Sequence, residues 1–103
     1  MPSSPQQKRA MRVEWLESAL LQFETIVTHI AEDKPKAAIK FRDAVNDKVL
    51  ALAAFPSVGR VSHRIQGEDI RELVVHENYL VFYRFDAAHV EIVAVIHAHQ
   101  SWP

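Results

Sequence analysis

His97 and His99 stand two residues apart near the end of the chain, inside a run whose alternation marks a strand, so both imidazoles should point to one side. A pair of this kind can bind a metal ion, and His97 alone can serve as a general acid or base near neutral pH. A metal needs more ligands than these two. The chain has no cysteine and no carboxylate at a matching spacing, so neither a metal nor a cofactor is expected. Acid–base work at His97 would draw on Arg71, Tyr79, Tyr83, Arg84 and Gln100. Arg60, Arg64, Arg71 and Arg84 can form a local basic patch, which fits RNA phosphates and an acidic protein segment equally well. Arg71 sits among apolar residues, and a half-buried arginine is usually paired; Glu72, Glu91 or an external carboxylate would serve. Gly59 and Gly67 are the only glycines, so a Gly-rich phosphate loop is absent. No serine stands in a nucleophile frame, and Glu68 and Asp69 read as a solvated turn.

These residues hang on the C-terminal stretch from Ile70 to Trp102, which holds three strand-like runs with β-branched and aromatic residues at period two. In the last run Val90, Ile92, Ala94 and Ile96 alternate with Glu91, Val93, Val95 and His97. The breaks at residues 76–78 and 86–89 are short enough for hairpins, which predicts an antiparallel meander with the Tyr79–Phe85 run in the middle.

Earlier segments supply the cover. Lys8 to Trp15 reads as a first strand whose basic start lies toward the sheet edge. Ser18 is a candidate N-cap for a helix to about Asp33 whose stripe is Leu20, Phe23, Val27 and Ile30, widened by Ile26 and Ala31. Pro35 restarts the chain as a second helix to about Ala54, with Ala38, Phe41, Val45, Val49 and Leu52 on its apolar side. Phe55-Pro56-Ser57-Val58-Gly59-Arg60 ends it, Val61 to Ile65 forms a short strand, and residues 66–69 turn into the meander. The fold class is therefore α+β: an N-terminal strand, an antiparallel two-helix hairpin, then a four-stranded antiparallel meander. The hairpin covers one sheet face, and the other is expected to stay partly open for a partner.

With 103 residues the chain makes one domain that buries roughly two thirds of its unfolded surface. Residues 1–7, rich in Pro, Ser and Gln, read as a loose arm before a single domain over 8–103. Twelve basic and thirteen acidic residues give a net charge of -1, so no global field draws the protein to phosphate backbones. No apolar run approaches a membrane span and no secretory leader is visible, which places the protein in the cytoplasm away from membranes.

Several strings in this order resemble the RelE/ParE superfamily of toxins from type II toxin–antitoxin systems. They are Val13-Glu14-Trp15, the start of the second helix at residues 33–38, residues 55–60, Arg71-Glu72-Leu73-Val74, Tyr79-Leu80-Val81-Phe82-Tyr83 and the ending from His97 to Pro103. The resemblance covers about Val13 to Pro103 and implies two branches. RelE-like members cut mRNA on the ribosome, with arginines and lysines on the sheet and often a C-terminal tyrosine or histidine. ParE-like members trap DNA gyrase on cleaved DNA without a reaction of their own.

The RelE pattern is poorly kept. Its catalytic arginine at the start of the central strand falls on Leu80, its second near Gln100, and of two basic positions on the preceding strand only Arg71 is basic, the other being Leu73. The ParE-like branch is thus the nearer one, and it implies a gyrase-directed toxin that arrests growth and stabilises plasmids. The alternative is a ribosome-dependent endoribonuclease centred on His97 with Arg60, Arg71 and Tyr83; a third is an inactive binding module. Either toxin implies a cognate antitoxin whose disordered segment folds over the open sheet face or the helical hairpin. Higher-order toxin–antitoxin assembly is possible in this class, and sequence-specific DNA contact is left to the antitoxin. The expected partner-contacting residues are Arg60, Arg64, Arg71, Tyr79, Tyr83, Arg84, His97, Gln100 and Trp102.

Overall fold

The computed structural model describes residues 11–64 and 69–99. The order is β1 (Arg12–Trp15), α1 (Glu17–Asp33), α2 (Pro35–Leu52), β2 (Arg60–Val61), β3 (Arg71–His76), β4 (Tyr79–Phe85) and β5 (His89–His97). One five-stranded sheet runs β1-β5-β4-β3-β2. The meander from β2 to β5 is antiparallel as expected, while β1 joins at the edge in parallel, Arg12 opposite His89 and Trp15 opposite Ile92. The sheet is therefore mixed.

Strand and helix meet without a linker at Leu16, whose amide donates to the Ile92 carbonyl while the residue occupies the N-cap of α1. Ser18 consequently lies inside the first turn and caps nothing; Glu17 there complements the positive helix end instead. Lys34 separates the helices, its backbone out of the helical region that a following proline disfavours, and its amide donates to the Ile30 carbonyl. The predicted stripe of α2, from Ala38 to Leu52, is buried throughout, although the helix ends at Leu52. In α1 the stripe is rotated from the expected one. Ala19 and Phe23 are buried and Ile26, Val27 and Ile30 pack beside them, whereas Leu20 is 42% exposed. The small Ala19 side chain lets the helix lie close to the sheet.

β5 does not keep one alternation. Phe82 pairs with Ala94 and Tyr83 with Ile92, which leaves Val93 as the extra residue of a bulge. Val90, Ile92 and Val95 consequently join the core under the helices, while Ala94 and Ile96 turn to the opposite face. That face, expected to be partly open, is covered over part of its area. Ile70, Leu80, Phe82, Ala94 and Ile96 form a second buried cluster, and the Arg64 guanidinium lies 5.9 Å from the centre of the Phe82 ring. Val74, 53% exposed, marks where the cover ends. The strand expected at Val61–Ile65 is β2 at Arg60–Val61, and the chain bends away at His63 and Arg64; the expected arm at residues 1–7, residue 65 and the turn at 66–68 lie outside the described residues.

Candidate functional site

Tyr83 and Arg71 face each other across β3 and β4 and meet the loop that leaves α2. The Tyr83 hydroxyl donates to the Pro56 carbonyl at 2.6 Å and accepts the Gly59 amide at 2.8 Å. Arg71 Nη1 donates to the Gly59 carbonyl at 2.6 Å and to the Ser57 carbonyl at 3.3 Å. Tyr83 is fully buried. Burial pushes its phenol above the ordinary range, against the smaller opposing effects of the Gly59 amide and the Arg71 charge. Gly59 is required by this approach, because a Cβ there would lie 2.6 Å from the Tyr83 hydroxyl oxygen and 2.8 Å from the Glu72 carbonyl oxygen. Arg71 has neither of its expected carboxylate partners: Glu72 is its neighbour on the same strand and so points to the other face, and Glu91 is taken by Arg84 at 2.6 Å.

On that other face Arg60 Nε and Nη2 donate to one oxygen of Glu72 at 3.0 and 2.7 Å, and Arg64 Nε lies 3.8 Å from the second oxygen. The Glu72 side chain is only 4% exposed, and its Oε1 makes no hydrogen bond. Desolvation alone would raise its pKa, but the Arg60 hydrogen bond, the nearby Ser62 hydroxyl and the charges of Arg60 and Arg64 outweigh it and hold the carboxyl below the usual range. Sequence reasoning treated Glu72 only as a partner for Arg71. Its place beside Val74, on the side of β3 away from Arg71, was the available signal that it serves other arginines.

His97 belongs to a third place. It pairs with Tyr79 across β5 and β4, with ring centres 5.1 Å apart, and Tyr79 in turn packs edge-on against Phe41 at 4.9 Å. The His99 amide donates to His97 Nδ1 at 3.2 Å, which puts the proton of the neutral ring on Nε2. Among the described residues no cluster of three metal-ligating side chains forms. Four strand positions separate Tyr79 from Tyr83, about 13 Å at the rise of a β-strand. The structure therefore brings Arg71 to Tyr83, and Arg60 and Arg64 to Glu72, while His97 lies beside Tyr79 at the far end of β4 from Tyr83. Gln100 and Trp102 lie outside the described residues.

The sheet and hairpin that hold these groups have counterparts. Residues 13–102 match the family model described as ParE toxin of type II toxin-antitoxin system, parDE. The chain belongs to the ParE toxin family. It is also 39% identical over 93 residues, covering 89% of this chain and 93% of the relative, to a Sinorhizobium fredii protein named "Putative toxin Y4kP". A solved structure titled as a chromosomal ParDE TA system from P. aeruginosa shares the fold, with a TM-score of 0.73 at 20% identity over 87% of this chain and 98% of that one. As a ParE-family toxin of a type II system, within the RelE/ParE superfamily, the chain implies a cognate antitoxin of the ParD kind. No described helix is long and apolar enough to cross a membrane.

Proposed function

We propose that this ParE-family toxin arrests growth in the cytoplasm by acting on DNA gyrase, as a binding poison rather than an enzyme. The observation that carries this reading is the engagement of Tyr83 and Arg71. A nuclease would need these groups facing substrate, yet Tyr83 is fully buried with its hydroxyl bonded on both sides, and Arg71 reaches two backbone carbonyls. A toxin that works by occupying a surface on its target needs neither group free.

The antitoxin in this reading covers the helical hairpin, where Leu21 and Leu50 are 63% and 66% exposed. A groove lined by Leu21, Gln22, Thr25, Ile26 and Val95 runs alongside α1. With the opposite sheet face holding its own buried cluster, the hairpin offers Leu20, Leu21, Ile39 and Leu50 as exposed apolar groups to a segment that folds on binding. The test is supercoiling of relaxed plasmid by gyrase: purified toxin inhibits it, and prior mixing with the cognate antitoxin restores it. Supercoiling that continues at large molar excess of toxin would contradict the reading.

One observation favours the ribonuclease alternative. His97 Nδ1 is fixed by the His99 amide, and Arg64 Nη2 donates to the intervening Ala98 carbonyl at 3.2 Å, so a base and a cation share that end of the sheet. Ribosome-dependent mRNA cleavage that disappears in His97→Ala would establish it.

A further inference from the structure

Beside the Tyr83–Arg71 clip the chain displays apolar side chains to solvent. Phe55 is 68% and Val58 60% exposed, both in the loop whose Pro56 and Ser57 carbonyls and Gly59 amide and carbonyl are held by the clip. Phe85, 38% exposed, stacks on Tyr83 at 6.4 Å between ring centres, and the Arg71 guanidinium carbon lies 5.8 Å from the Phe85 ring centre. Hydrophobic collapse alone would fold a mobile loop of this composition inward. Here a buried hydroxyl, an arginine and a glycine that tolerates no Cβ fix its backbone with the apolar groups outside.

We infer that residues 55–59 with Phe85 form a preformed docking surface for the toxin's target protein, received by an apolar recess with a carboxylate at its rim. The inference rests on the target-binding reading above and deepens it. Aromatic and arginine side chains are enriched in protein interfaces, and an anchor already held in place loses little conformational entropy on binding. Charge selects an acidic rim. Among the described residues the Arg71 guanidinium donates to carbonyl oxygens and lies against the Phe85 ring, with no carboxylate partner. Protruding anchors need a concave receiver, which a folded target supplies and an unfolded antitoxin segment does not. A nucleic acid is disfavoured because Val58 offers no stacking plane and the chain as a whole carries a net charge of -1.

The test is growth arrest after induced expression, which reads target binding whatever the target is, run beside gyrase supercoiling, which reads the target's identity. The Phe55→Ser/Val58→Ser double variant keeps its circular dichroism and thermal midpoint, and its potency falls about tenfold or more, the loss expected from an interface anchor. Phe55→Tyr retains arrest, as does Val74→Ser on β3, an exposed apolar position away from the loop. Undiminished arrest by the folded double variant, or no arrest by the parent chain, overturns the surface. Loss of single-stranded oligonucleotide binding in the double variant overturns its assignment to a protein. Parent arrest without gyrase inhibition removes gyrase while the comparison with the double variant still decides the surface.

Discussion

The Tyr83 hydroxyl accepts the Gly59 amide at 2.8 Å across 24 residues of chain, which ties the central strand to the loop leaving α2. It donates at the same time to the Pro56 carbonyl. Tyr83→Phe should therefore leave a buried amide without its partner and cost about 1–3 kcal/mol, or some 4–8 °C in Tm for each kcal/mol in a domain of this size. A urea midpoint that falls with an unchanged slope is the expected result.

Gly59→Ala should destabilise by about 1–3 kcal/mol, since the added carbon meets the Tyr83 hydroxyl and the Glu72 carbonyl too closely for either to give freely. Combined with Tyr83→Phe, which removes the nearest of these atoms, the cost should be smaller than the sum of the two single changes. Additivity within about 0.3–0.5 kcal/mol in a double-mutant cycle would show that the two positions are independent.

Glu72 gives stability a pH dependence of known sign. Its carboxyl is held below the ordinary 4.5 in the folded state, so its contribution is complete above that value and is lost as pH falls through the folded value. Asp86, lowered chiefly by the Ala88 and His89 amides, acts in the same direction. Thermal midpoints measured from neutral pH downward should drop below about pH 4.5, and Glu72→Gln, already destabilised at pH 7, should drop less steeply.

Gln22 meets the edge of β5 beyond the reach of β1. β1 pairs only with residues 89–92 of β5, and beyond them the Val95 amide donates to Gln22 Oε1 at 3.0 Å. In Gln22→Ala the Val95 amide should exchange faster with solvent, and stability should fall by about 1 kcal/mol, the worth of one such bond. Unaltered exchange would mean that packing against α1 protects the amide without the side chain.

If His97 takes no part in catalysis, His97→Ala should arrest growth as the parent does and should leave the mRNA of translating ribosomes intact. Tyr79 then keeps its edge contact with Phe41 and loses the one with His97, so a small fall in Tm is the expected structural effect.

Periodicity made the helices and the meander legible, because α2 from Ala38 to Leu52 and β4 from Tyr79 to Phe85 each bury what their spacing predicts or sit in the middle of what they pair with. The bulge at Val93 had no such mark: a valine in a run of valines and isoleucines fits either phase, and only the competing demands of two packed faces select it. The same ambiguity hid the second cluster, since Leu80, Ala94 and Ile96 look alike whether a face is open or covered. At the candidate site the sequence supplied residue types but not their engagements. Nothing local reveals that Tyr83 is fully buried or that Arg71 binds carbonyls, and alternation along β3 turns Glu72 away from Arg71 without naming Arg60 and Arg64, because each partner comes from a distant segment. The distance from Tyr79 and His97 to Tyr83 followed only once the strand register was known.

The most direct test of a gyrase-directed toxin is the amount of cleaved plasmid that accumulates when purified gyrase, ATP and supercoiled DNA are incubated with the protein and then denatured. Double-strand breaks that rise with toxin concentration and vanish when antitoxin is added first are the predicted result. Unbroken plasmid at saturating toxin, from a preparation that still arrests growth on expression, would contradict the account and direct attention to the ribosome.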